Sequence, residues 1–272
     1  MASRLNAAAD AAAKPPAASP PSSRWRAYAR IARLVLLFAT YAPPHLIARR
    51  GGRASPWPRR FLVRAARIAG TRVALEGQPI GPHSLIVANH TSWLDILILG
   101  GATGARFVSK AEIAQVPVIG WLADQNATLY IDRAERGDAH GQVRRIAAAL
   151  ESPQPLAVFP EGTTGNGRAL LAFRSTLLHA VAPPPPNASV RPVALDYRDS
   201  VDAVAWHSGE PGLANALRVL GMRGRRRVTV RLLDPLAPMD SRKALARQAR
   251  SAIGAALPSV ARSDALKAAP HD

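Results

Sequence analysis

A chain of 272 residues with 36 lysines and arginines against 18 acidic residues has a formal charge of +18, which favours anionic partners such as phospholipid surfaces, nucleic acid or acidic carrier proteins. Its length suits one sizeable domain with appendages and is too short for two large domains. The absence of cysteine excludes disulfides, thiolate metal sites and a cysteine nucleophile.

Residues 1–23, MASRLNAAADAAAKPPAASPPSS, hold few large apolar side chains and are expected to form a disordered arm. Segment 24–59 is expected to associate with a membrane, because the apolar stretch 34–41 is flanked by Arg24, Arg26, Arg30, Arg33, Arg49, Arg50 and Arg53. The uncharged run 34–48 falls short of the roughly 20 residues of a spanning helix, and Pro43-Pro44 are expected to break it. A helix lying in the interface, with arginines on lipid phosphates, is the preferred reading. The alternatives are a buried core helix or a secretory signal, and the long polar arm argues against the signal.

Beyond residue 60 short β-rich runs alternate with helical ones. Strands are expected at 72–75, 84–88, 106–109, 127–131, 156–159, 191–196 and 227–233, with helices at 93–100, 118–124, 139–150, 170–180 and 242–256. This alternation predicts an α/β sheet with helices packed on it over 60–257, followed by a short tail, 258–272.

Three polar clusters follow apolar strands. The first is NHTSWLD, residues 89–95. With His90 in the turn and the helix opening at Thr91 or Ser92, Asp95 can reach back to the imidazole, fixing one ring nitrogen as donor and leaving the other as a base. The same letters also spell a helix-capping box, Ser92-x-x-Asp95. The second cluster, VFPEGTTG at 158–165, offers free backbone N–H groups and hydroxyls suited to a polar head group, or is an ordinary Gly-rich turn. There Glu161 is expected to accept from a substrate hydroxyl or to hold an arginine. The third, ATLYIDRAERG at 127–137, brings Arg133 to a strand end, where it suits phosphate or carboxylate or a surface ion pair. Sites of α/β folds gather at strand ends.

Order and spacing of these clusters resemble the 1-acylglycerol-3-phosphate acyltransferase family of glycerolipid acyltransferases. The family pattern N-H-x-x-x-x-D is matched by Asn89, His90 and Asp95, and F-P-E-G-T by Phe159, Pro160, Glu161, Gly162 and Thr163. Pro192-Val193 match a proline opening an apolar strand, and Tyr130, Ile131, Asp132 and Arg133 follow the remaining motif, with Ala127 where the family has glycine. The run after FPEGT is more similar to the bacterial lyso-ornithine lipid acyltransferase branch.

The resemblance implies a central mixed β-sheet flanked by helices, with an N-terminal apolar membrane-interface segment. It implies transfer of a fatty acyl group from acyl carrier protein or acyl-CoA to the free hydroxyl of a lysolipid, either lyso-ornithine lipid or 1-acylglycerol-3-phosphate. His90 would be the base and Asp95 its orienting acid. Arg133, Glu161, Gly162 and Thr163 would bind the acceptor, with Lys110 and Arg174 as further phosphate or pantetheine contacts. No metal or redox cofactor and no nucleic acid is implied, and the expected location is the cytoplasmic face of a bacterial inner membrane, among its lipids. Competing readings are an esterase or thioesterase on the same fold and a non-catalytic basic membrane- or nucleic-acid-binding protein. The missing G-x-S-x-G weighs against the first, and an aromatic content of 5% against a stacking platform for nucleic acid.

Overall fold

The computed structural model describes residues 22–51, 55–131, 139–207, 209–258 and 260. The expected arm, tail and Arg133 therefore lie wholly or largely outside the described residues. Two helices open the described chain, α1 (Arg24–Arg50) and α2 (Trp57–Ile68). The first runs unbroken through Pro43-Pro44, against expectation. Proline's fixed φ is itself helical, and the carbonyls it deprives of an amide belong to Ala39 and Thr40, both exposed, where water can take them. At 27 residues, α1 is long and apolar enough to cross a membrane by length and composition. The inner stripe of α1, which includes Ala27, Leu37 and His45, is buried, and the helix packs on α2 and on α7 (Gly212–Gly221).

Seven strands follow close to their expected positions: β1 (Thr71–Gly77), β2 (Ser84–Ala88), β3 (Arg106–Lys110), β4 (Leu129–Ile131), β5 (Leu156–Val158), β6 (Ser189–Asp196) and β7 (Arg226–Leu232). They form one mixed sheet in the order β1-β7-β6-β2-β5-β3-β4. Neighbours are parallel except β6 and β7. Strands β2 to β6 therefore end along one edge of the sheet.

Fully buried strands read as continuous apolar runs, and β2, Ser84–Ala88, is buried at every position. Its period of two sends Ile86 and Ala88 into one core, with Leu94, Ile98 and Leu99 of α3 (Leu94–Thr103) and Ala66 of α2. Leu85 and Val87 enter the other, with Ile146 of α5 (Ala139–Leu150) and Leu245 and Ile253 of α8 (Arg242–Ala256). The result is three layers, helices on both faces of the sheet. Short helices α4 (Ile119–Gln125) and α6 (Val201–Val204) lie in connections.

The sequence reading passed over α2, although its exposed arginines lie opposite a clear apolar face, and the expected domain boundary after residue 59 falls inside it. In α3, Gly100 and Gly101 allow close packing on α2. A Cβ at 100 would lie 2.7 Å from Leu62 Cδ1, and one at 101 only 3.0 Å from the Val63 amide nitrogen.

The helix expected at 170–180 is replaced by irregular chain and a 3₁₀ turn, Leu177–Val181. Its backbone groups are used elsewhere. The Leu171 N–H donates to Glu161, the carbonyls of Leu170 and Leu171 accept from Arg250, and the Arg174 N–H donates to the Pro160 carbonyl. Tertiary bonds thus displace the i to i−4 ladder.

Candidate active site

Past the last ladder pair of β2 and β6, Ala88 with Val193, Asn89 continues the pairing with its side chain. Its Nδ2 donates to the Leu195 carbonyl at 3.1 Å, and its Oδ1 accepts from the Leu195 N–H at 2.8 Å. The backbone is thereby free to turn, and His90 sits in that turn at the carboxyl edge of the sheet. Helix α3 begins four residues later, so Asp95 lies in its first turn.

Asp95 is fully buried, yet four donors converge on it. Oδ2 accepts from the backbone N–H groups of Thr91 at 2.7 Å and Ser92 at 2.9 Å and from His90 Nδ1 at 2.9 Å, while Oδ1 accepts from the hydroxyl of Tyr197. The same carboxylate therefore caps the helix and orients the imidazole, so the two sequence readings of NHTSWLD describe one structure. Only half of the capping box forms, because Ser92 Oγ accepts weakly, at 3.4 Å, from Leu94 and not from Asp95.

An ionised carboxylate only accepts hydrogen bonds. Against it, Nδ1 of a neutral His90 carries the proton and Nε2 presents a lone pair. The imidazole is 19% exposed and stacks on Phe159, with ring centroids 4.2 Å apart and planes inclined by 17°. That stacking removes one face of the ring from water and fixes its plane.

Phe159 belongs to the second cluster, which is stitched to the first. Glu161 is 4% exposed. Its Oε1 accepts from the His90 N–H at 2.8 Å and its Oε2 from the Leu171 N–H at 3.0 Å. The Gly165 N–H donates to the His90 carbonyl at 2.7 Å. Gly162, at φ +75, takes the left-handed turn that returns the loop toward His90. Burial pushes the Glu161 carboxyl up to about 7, against the two backbone N–H bonds that lower it. With each oxygen accepting from a backbone amide, Glu161 braces the two loops, and no arginine bonds to it among the described residues.

The remaining expected site residues spread outward. Gly162 and Thr163 lie in the loop beside His90, and Thr163 is exposed. Lys110 ends β3 with an exposed side chain, opposite Ile131 in register. Arg174 is tied to this loop by its backbone, and its side chain faces solvent. Arg133 lies outside the described residues.

Sequence reasoning passed over Tyr197. It stands at the end of RPVALDY, is 2% exposed, and is held well above the ordinary phenol range by burial and by Asp95. An aromatic hydroxyl just past a strand end was the available signal. Knowing that β6 lies beside β2 would have placed it beside the 89–95 turn.

A family model described as Acyltransferase matches residues 72–196, a stretch that holds His90, Asp95 and Glu161 and stops just before Tyr197. Lyso-ornithine lipid O-acyltransferase from Pseudomonas aeruginosa is 38% identical over 201 residues, covering 72% of this chain and 76% of that protein. This chain belongs to the acyltransferase family. 1-Acyl-sn-glycerol-3-phosphate acyltransferase from Neisseria gonorrhoeae is 34% identical over 136 residues, 48% of this chain and 52% of its own. The crystal structure of the 1-acyl-sn-glycerophosphate acyltransferase of Thermotoga maritima shares the fold, with a TM-score of 0.55 at 19% identity, over 89% of this chain and 100% of that one. The acyltransferase is thus an enzyme built on a mixed sheet flanked by helices, with an apolar N-terminal helix.

Proposed function

We propose that this acyltransferase moves a fatty acyl group from a thioester to the free hydroxyl of lyso-ornithine lipid, at the cytoplasmic face of a bacterial inner membrane. The observation that carries the chemistry is the His90–Asp95 pair, with Nδ1 held at 2.9 Å and Nε2 making no hydrogen bond among the described residues. As the acceptor oxygen attacks the thioester carbonyl, Nε2 takes its proton. The tetrahedral adduct then collapses, the carbon–sulfur bond breaks, and the departing thiolate takes that proton from the imidazolium. Asp95 stabilises the imidazolium between the two steps, and no acyl-enzyme forms. A positioned base contributes about 10²- to 10⁴-fold in rate.

Glu161 acts here by position, holding the backbone of His90 against the second loop. Gly162 and Thr163, in the loop beside His90, are assigned to the acceptor and Arg133 to the anionic part of its head group, with Lys110 and Arg174 as outer cations. Support for lyso-ornithine lipid over 1-acylglycerol-3-phosphate comes from the similarity to the Pseudomonas aeruginosa enzyme, which is higher and covers more of both chains than that to the Neisseria gonorrhoeae enzyme. The charge of +18 suits an acidic acyl carrier protein as donor, with acyl-CoA as the alternative. No metal or redox cofactor enters the scheme.

The test sets purified protein in vesicles with labelled acyl carrier protein or acyl-CoA against lyso-ornithine lipid or lysophosphatidic acid, with His90→Ala alongside. Diacylated ornithine lipid, lost in the variant, is expected. Product only from lysophosphatidic acid would reassign the acceptor, and free fatty acid with either acceptor would make the protein a thioesterase.

A further inference from the structure

The connection from β3 to β4 presents an apolar tip that the catalytic reading does not use. Residues 113–123, IAQVPVIGWLA, contain no charged side chain. Val116, Val118, Ile119 and Trp121 are 38%, 65%, 55% and 36% exposed. Such a cluster on a water-soluble surface calls for a partner.

Nor is the tip a loose loop. Val118 has φ 64 and ψ −48, and the Ile119 N–H donates to the Pro117 carbonyl at 2.7 Å. This is a γ-turn of the strained hand, rare for a β-branched residue. Gly120 is pressed against the preceding turn, where a Cβ would lie 2.3 Å from the Ala114 carbonyl oxygen. The Tyr130 hydroxyl braces the base through the Gly120 carbonyl and Asp124. A built and strained support holds these aliphatic side chains outward.

The tip also adjoins α1. Phe38 and Trp121 meet edge to face at 5.3 Å, and Gln125 Oε1 bonds both His45 Nε2 and Arg49 Nη1 at 3.1 Å. On α1 itself Trp25, Tyr28, Val35, Leu36 and Ile47 are more than half exposed. The α1–α2 stretch beside the tip is basic: no acidic residue occurs from 11 to 75, a stretch rich in arginine, while Glu112 and Asp124 lie at the base of the tip, behind its apolar end.

We infer that the Val116–Trp121 tip inserts into the anionic bilayer surface as a second membrane contact beside α1, fixing the tilt at which the carboxyl edge of the sheet meets the lipid. The occupant is lipid because the surface is apolar, edged by tryptophan and tyrosine, and continuous with an α1 segment whose charges are all cationic, the combination an anionic leaflet satisfies. Strands β2 and β3 end along the same edge, so the tip leaves the sheet on the side of His90. That the tilt serves access to a lysolipid rests on the acyltransferase reading; the insertion itself does not.

Because the chain lacks cysteine, Val118→Cys creates a single site for a nitroxide label, and Glu151→Cys, at the opposite end of β5, creates a control. On vesicles of phosphatidylglycerol and phosphatidylethanolamine, the label at 118 should collide more with dissolved oxygen and less with a polar nickel chelate, while that at 151 stays in water. A label at 118 that remains open to the chelate in vesicle-bound protein would overturn the inference. So would a label shielded without lipid in a protein that sediments as a dimer, since a second copy would then cover the tip. Val118→Gly removes the side chain while suiting the positive φ, so it should fold. Combined with Ile119→Ser it should weaken vesicle partitioning about tenfold or more and leave kcat on detergent-dispersed acceptor unchanged. Unchanged partitioning in that folded variant would also overturn the inference. The label depth is read without turnover, so failure of the acyltransferase assignment would be seen separately.

Discussion

The carboxyl edge of the sheet and the outer face of α1 with its neighbouring tip are built on opposite principles. At the edge, buried polar groups are paired within the chain: Asp95 has four donors and Glu161 two. On the outer face, apolar side chains as large as Trp25 and Leu36 are left without cover. One region is largely finished by the fold, leaving the lone pair of His90 and the buried indole N–H of Trp93 without a hydrogen bond among the described residues. The other is left open, and on the proposed reading a second phase finishes it. The proposed reaction needs both, since its base would be fixed in the protein while its acceptor is a lipid.

The comparison breaks most sharply at the base. His90→Ala should lower kcat by about 10²- to 10⁴-fold with little change in melting temperature, as the imidazole is partly exposed. Asp95→Asn should cost activity and stability together. An amide cannot accept all four bonds, and each buried donor left unpaired costs about 1–3 kcal/mol; thermal unfolding beside single-turnover rates checks this. Tyr197→Phe strips only Oδ1 of its partner. A roughly tenfold loss of kcat with KM unchanged, and a stability loss of about 1–3 kcal/mol, would mark Tyr197 as a positioning residue acting through Asp95. Loss of stability with kcat intact would make it structural only.

A pH dependence sharpens the inner region further. Folded protein holds the Glu161 proton up to about 7, above the ordinary 4.5 of this carboxyl. Between those values the folded state binds more protons than the unfolded one, so stability falls as pH rises from about 4.5 to about 7. Glu161→Gln should flatten that part of a stability-against-pH curve measured by denaturant unfolding. The smallest stability effects belong to the outer face: Leu36→Ser or Ile47→Ser should change unfolding by no more than about 0.5 kcal/mol while weakening vesicle binding measured by flotation.

What could be read from the letters follows the same division. Strands such as β2 and the His90–Asp95 pair were legible because apolar runs and short-range spacing encode them directly. Tyr197 was not, since it meets Asp95 only through the β2–β6 pairing, and strand order is not written in any local pattern. The segment 170–180 carries helical letters, but Glu161 and Arg250 take its backbone groups. Pro43-Pro44 looked like a break because the rule concerns lost hydrogen bonds, and here the orphaned carbonyls face outward. The helix expected at 118–124 forms as α4, Ile119–Gln125, but the γ-turn at Val118 that precedes it sits against the packing of Gly120 on Ala114, a contact that periodicity does not show.

The most direct test of the central claim is single-turnover acyl transfer to lyso-ornithine lipid by vesicle-bound protein and its His90→Ala variant, with mass analysis of the protein during the reaction. The account predicts a fall of at least about 10²-fold in the variant and no acyl group on the wild-type chain. A variant within a few-fold of wild type, or an acyl-enzyme on the reaction path, would contradict it.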